Sequence, residues 1–163
     1  MLVVKTGKAL LRKIGNITES LLAYEEAFLI NPNIAELNAN IASLYWVKGE
    51  KEKAKKFAKR SLEIKETCEA HLIFAREYKV NGEYEIAEKH GIKACDLKPN
   101  NIEALCLTAS IYADLHDYEE AEKLFAKANR IIGDGKFEFA YATYFYSFIS
   151  VAKKTDEIKN YVK

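Results

Sequence analysis

The sequence predicts an all-α fold, a right-handed α-solenoid of about four helix-turn-helix units closed by a C-terminal capping helix, and three observations carry that expectation. Gly15, Gly49, Gly82 and His116 stand 34, 33 and 34 residues apart, and a period of this length marks a chain built from repeated supersecondary units. Small residues recur at fixed offsets from that column, first as Ser20, Ala54, Ala87 and Ala121, then as Ala27, Ser61, Ala94 and Ala128. Between these marks apolar residues return at helical intervals, as in Leu21, Leu22, Tyr24, Ala27, Phe28 and Ile30.

Each element follows from its punctuation. Helices are expected near 2–13, 18–30, 34–47, 51–64, 68–80, 84–97, 102–114, 118–131 and 136–153, with a short tail helix over 155–162. Gly15, Gly49 and Gly82 fall between paired helices, where a residue able to take positive φ ends one helix and begins the turn. Pro32 and Pro99 stop the second helix of a pair. Ala42, Ala75 and Ala109, with Ala54, Ala87 and Ala121, let the two helices of a unit approach closely. Glu36, Glu69 and Glu103 open successive first helices, where the helix dipole favours an acid. The resulting units are 1–34, 35–67, 68–101 and 102–135 within one continuous domain, 1–163.

The columns resemble those of the tetratricopeptide repeat, a 34-residue helix-turn-helix unit with an aromatic, a Leu-Gly pair, a tyrosine, small residues and a closing proline at set places. The third unit matches with Phe74, Ala75, Tyr78, Gly82, Tyr84, Ala87, Ala94 and Pro99, and the fourth with Ala109, Tyr112, Tyr118, Ala121, Phe125 and Ala128. Tyr45 joins Tyr78 and Tyr112 four residues before the glycine column or its His116 equivalent. The departures are the opening tryptophan, replaced by Val4, Asn38, His71 and Leu105, and Lys8 at a small-residue place in the first unit.

The resemblance implies that first helices line a concave groove that takes extended peptides or helices. Carried onto this chain, the groove columns are Lys5, Ala9 and Arg12, then Asn40, Ser43, Trp46 and Val47, then Leu72, Arg76 and Lys79, and finally Cys106, Ser110, Ala113 and Asp114. Trp46 is the one tryptophan, and aromatic and Arg side chains are common interface anchors; packing between adjacent units is the competing reading of Trp46. A known subclass clamps chaperone C-terminal carboxylates with two lysines, two asparagines and an arginine. The corresponding columns here hold Lys5, Ala9, Asn40, Glu69 and Ile73, so a carboxylate clamp is not expected.

The last long helix crowds Phe137, Phe139, Tyr141, Tyr144, Phe145, Tyr146 and Phe148 together. Phe139, Ala142, Thr143 and Tyr146 occupy packing columns, which leaves Phe137, Tyr141, Tyr144 and Phe148 as a second stripe on the groove side. A capping helix should have a polar outer face. The stripe is therefore expected to be covered by the tail after Thr155, by a peptide partner anchored on Tyr141, Tyr144 and Phe148, or by a second copy in a homodimer.

Composition narrows the function classes. Lys and Arg total 25 against 24 acids, so no bulk charge recruits nucleic acid or an anionic membrane. No signal peptide or membrane span is legible, and three cysteines without paired spacing suit a reducing compartment, giving a cytoplasmic expectation. His71, His90 and His116 lie in different segments without metal-ligand spacing, and Cys68, Cys95 and Cys106 read as core or half-buried thiols. Gly133 and Gly135 follow a helix rather than a strand and form a turn, not a phosphate loop. No cofactor, metal or catalytic residue is expected. The basic run Lys48, Lys51, Lys53, Lys55, Lys56, Lys59 and Arg60 lies on a second helix and reads as a solvated outer face rather than a phosphate strip. The sequence reading is a non-catalytic protein-interaction module, scaffold or co-chaperone-like. Its alternatives are a self-assembling unit joined through the aromatic C-terminal helix and, by size analogy, a chaperone of the type III secretion kind.

Overall fold

The computed structural model describes residues 17–133, 153–155 and 157. Seven helices are seen among the described residues: α1 Ile17–Ile30, α2 Ala35–Val47, α3 Lys51–Ile64, α4 Cys68–Val80, α5 Tyr84–Leu97, α6 Ile102–Asp114 and α7 Tyr118–Ile132. Their bounds fall within a residue of the expected ones. Lys153, Lys154, Thr155 and Glu157 are also helical, while the expected helices over 2–13 and 136–153 lie largely or wholly outside the described residues. The chain divides into two compact units within α4, between Phe74 and Ala75.

One turn joins the helices within each pair. Gly49 and Gly82 take φ of 81° and 80°, and His116, at the same place in the last pair, takes 62°. The backbone N–H of Gly49 donates to the Trp46 carbonyl and that of Glu50 to the Tyr45 carbonyl, both at 2.9 Å. The same two bonds recur from Gly82 to Lys79 and Glu83 to Tyr78, and from His116 to Ala113 and Asp117 to Tyr112. This is the Schellman arrangement, which satisfies carbonyls that the helix end would otherwise leave open. The residue that completes it, Glu50, Glu83 or Asp117, is also the N-cap of the next helix. The tyrosine column thus sits where its carbonyl closes the turn.

The joints between pairs are built differently each time. After α1, the Asn38 amide donates to the carbonyls of Pro32 and Ile34, each at 2.8 Å. After α3, the Ser61 hydroxyl donates to the Ala35 carbonyl at 2.9 Å and lies 2.8 Å from the Thr67 hydroxyl. After α5, Asn101 caps α6 by accepting from the Ala104 N–H at 3.0 Å.

In the first unit, Tyr24, Leu37, Ile41, Leu44 and Ile73 pack with the small residues Ala39, Ala42, Ala54 and Ala58. Phe57 of α3 stacks on Tyr45 at 5.7 Å between ring centroids and meets Phe28 edge-on at 5.4 Å, tying three helices together. In the second unit, Ala75, Ala87 and Ile111 form one cluster, and Ala109, Ala121 and Phe125 another. The places of the missing tryptophan are filled by Asn38, His71 and Leu105, all buried. Burial at that column therefore belongs to the backbone geometry and not to the residue type.

At Gly91 of α5 a neighbouring helix leaves no room for a side chain. A Cβ there would meet the Thr108 hydroxyl of α6 at 2.7 Å and its methyl at 3.1 Å. The corresponding places on α3 and α7 hold Ala58 and Phe125, both buried, so this place differs in size from one second helix to the next.

Candidate functional site

The expected groove residues belong to first helices, and each unit presents its own set. In the first unit, Asn40, Ser43 and Trp46 are half-buried along α2. At about 100° per residue they span an arc of about 120° with Ser43 in its middle. Trp46 packs part of its ring against the core of that unit, and the Lys51 ammonium lies 5.6 Å from the ring centroid. It thus both packs and keeps an open edge. The Ser43 hydroxyl donates to the Ala39 carbonyl one turn back at 3.1 Å. Among the described residues the Asn40 amide has no hydrogen-bond partner, which leaves two donors and an acceptor available at the surface of α2. Val47 is exposed, whereas Leu72, expected to line the groove, is only 2% exposed and belongs to the core. Its place on α4 is covered because that stretch of the helix is buried on nearly every side, with Ala70, His71, Ile73 and Ala75 buried as well.

In the second unit, Arg76 and Lys79 of α4 are ion-paired with α6. Arg76 pairs with Glu103, and the Lys79 ammonium lies 2.5 Å from the Asp114 carboxylate. Ser110 donates to the Leu107 carbonyl at 2.7 Å. The two cations expected to face a bound segment are therefore already matched by two acids on the adjacent first helix. The sequence reading placed Glu103 at a helix N-terminus, which it occupies, but missed its partner. Nothing local signals the pairing, because Arg76 and Glu103 are 27 residues apart. Lys5, Ala9, Arg12, Tyr141, Tyr144 and Phe148, with the second aromatic stripe, lie outside the described residues.

Burial favours the neutral form of the Cys95 and Cys106 thiols. Burial pushes Cys106 up to about 11, with Glu103 adding a smaller push. Burial also raises Cys95, opposed in part by its contact with the Thr108 hydroxyl at 3.4 Å. A thiol needs the opposite shift to act as a nucleophile near neutral pH. Ile73, in the arginine column of the carboxylate-clamp subclass, is buried. No helix of the described residues is long and apolar enough to cross a membrane.

The family model described as Tetratricopeptide repeat matches residues 35–68 and 102–134, the helix pairs α2–α3 and α6–α7. Among solved structures, the chain is similar to YrrB, described as a TPR protein with an unusual peptide-binding site, at 18% identity and a TM-score of 0.63 over 93% of this chain and 76% of that one. It is similar to MamA at 19% identity and a TM-score of 0.64, over 99% of this chain and 86% of that one. The first TPR domain of human RPAP3 gives 20% identity and a TM-score of 0.64, over 78% and 98%. No curated protein matches the chain in sequence. With the repeated turn, the buried small-residue columns and these matches together, residues 35–68 and 102–134 are similar to tetratricopeptide repeats, and the chain has the all-α solenoid fold of such repeats.

Proposed function

We propose that this solenoid is a non-catalytic scaffold that holds an extended peptide or a helix against its first helices, with the Asn40, Ser43 and Trp46 face of α2 as the anchoring part. The observation that carries the reading is the Asn40 amide, without a partner among the described residues and on the same helix as a half-buried Trp46. An unpaired carboxamide can bond the main chain of a ligand in both directions, and a partly open indole supplies the apolar contact that anchors it. The peptide-binding site described for YrrB supports this type of ligand on this type of fold. Arg76 with Glu103 and Lys79 with Asp114 would serve as exchangeable pairs, since half-exposed ion pairs contribute little and a ligand charge can replace one partner.

Selection of a displayed random-peptide library on the wild-type protein, followed by titration of the winning peptide, tests the reading. Trp46→Ala and Asn40→Ala should each weaken that peptide by about tenfold, the 1.4 kcal/mol loss of one good contact. Undiminished affinity in both variants, with helicity retained, would remove α2 from the binding face.

A further inference from the structure

The basic run that begins at Lys48 and continues along α3 is not uniform. Lys48 and Lys53 lie 2.9 and 2.6 Å from the Glu50 carboxylate. Lys55 lies 2.7 Å from Glu52, and Lys51 sits over the Trp46 ring. Those four cations are engaged. The remaining three, Lys56, Lys59 and Arg60, converge on one cleft of about 440 Å³ between α1 and α3, whose other lining residues are Phe28, Phe57 and Glu63. Lys59, Arg60 and Glu63 stand three, four and seven residues after Lys56, which sets the four along a single face of α3.

The charges in this cleft are poorly compensated. Among the described residues neither Lys56 nor Lys59 has a carboxylate partner. Arg60 donates to the Asn33 side-chain oxygen at 3.3 Å and lies 5.2 Å from the Phe28 ring centroid, so both its partners are neutral. Between these cations the two phenyl rings, edge to face at 5.4 Å, give the cleft an apolar floor. Three cations against Glu63 leave it with a local charge of +2 in a protein whose formal net charge is +1.

We propose that the cleft between α1 and α3 binds an acidic peptide segment carrying an apolar anchor, the anchor resting on Phe28 and Phe57 and its flanking carboxylates meeting Lys56, Lys59 and Arg60. Nucleic acid fits less well. A phosphate track needs cations spaced along it, and Glu50 and Glu52 neutralise the strip on the side toward the start of α3 while Glu63 stands on the other. The same Glu63 can accept an N–H from a peptide main chain. This site is separate from the Asn40 and Trp46 face and does not depend on it.

The test is fluorescence anisotropy of the full chain with a labelled heptapeptide, Glu-Asp-Glu-Phe-Glu-Asp-Glu, beside a labelled oligouridylate. The expected result is saturable peptide binding that weakens at least about tenfold in Lys56→Glu/Lys59→Glu, two exposed positions whose exchange leaves the core intact, and by a similar factor when the central Phe is replaced by Ser. Peptide affinity unchanged in the double variant overturns the proposal. So does oligouridylate binding more tightly than the peptide with a steep fall in salt, which would make the strip a nucleic-acid contact.

Discussion

The Tyr45 hydroxyl of α2 donates to the Glu25 carboxylate of α1 at 2.5 Å, a charge-assisted bond between neighbouring helices. It pushes the Tyr45 phenol up to about 12, with burial adding to it, and burial pushes Tyr24 up to about 12 as well. Tyr112 reaches about 12 through burial first and Glu88 second. The fold therefore keeps these protons longer than the unfolded chain does. Their contribution to stability is complete below the ordinary phenol range near pH 10 and is lost as pH rises toward about 12. Melting temperature should fall across that window, and Tyr45→Phe should flatten part of the fall while costing about 1–2 kcal/mol at neutral pH. A melting profile of the same steepness in wild type and Tyr45→Phe would show that the Glu25 bond does not set the alkaline limit.

The glycine column offers a paired experiment. A Cβ at Gly82 would meet nothing within 4 Å, so Gly82→Ala is governed by its φ of 80° alone and should destabilise by about 1 kcal/mol. His116 already bears that strain at φ 62°. His116→Gly should relieve it, offset in part by loss of the 2.8 Å contact between its ring and the Tyr118 hydroxyl. Chemical denaturation should give opposite signs for the two changes. Two losses of equal size would mean that the ring contact outweighs the backbone strain.

Gly91 sits inside a helix, where alanine is favoured by about 1 kcal/mol. The 2.7 Å approach of a new Cβ to the Thr108 hydroxyl opposes that gain, and overpacking typically costs about 1–3 kcal/mol. The clash should win, so Gly91→Ala is expected to destabilise. In a Thr108→Ala background the hydroxyl and methyl are gone and the same change should become neutral or stabilising. A double-mutant cycle measures the coupling directly, and additive effects would place the strain elsewhere.

The period of the sequence reports what every repeat shares, namely backbone path and helix spacing. That is why the helix bounds from Ile17 to Ile132, the turn at Gly49 and Gly82, and the buried columns of Ala54, Ala87 and Ala121 were all legible. His116 was placed in the glycine column by spacing alone, and its positive φ follows. What differs from repeat to repeat was not legible. Tyr45 with Glu25, Arg76 with Glu103 and Gly91 with Thr108 join residues 20, 27 and 17 positions apart, and no periodic rule pairs them. The candidate face shows the same division: the columns placed Asn40 and Trp46 on a first helix, where they are half-buried, but the burial of Leu72 and the pairing of Lys79 depend on neighbouring helices that a column does not describe.

The contrast between uniform turns and individual joints bears on how such a chain could be lengthened. Asn38, the Ser61–Thr67 hydroxyl pair and Asn101 each close one joint and no other. A tandem duplication copying one helix pair would reproduce the turn faithfully, yet would confront a joint with chemistry evolved for a different address. Grafted or duplicated pairs should therefore carry their preceding loop and its closing side chain with them, so the natural unit of transplantation begins at the joint and not at the first helix.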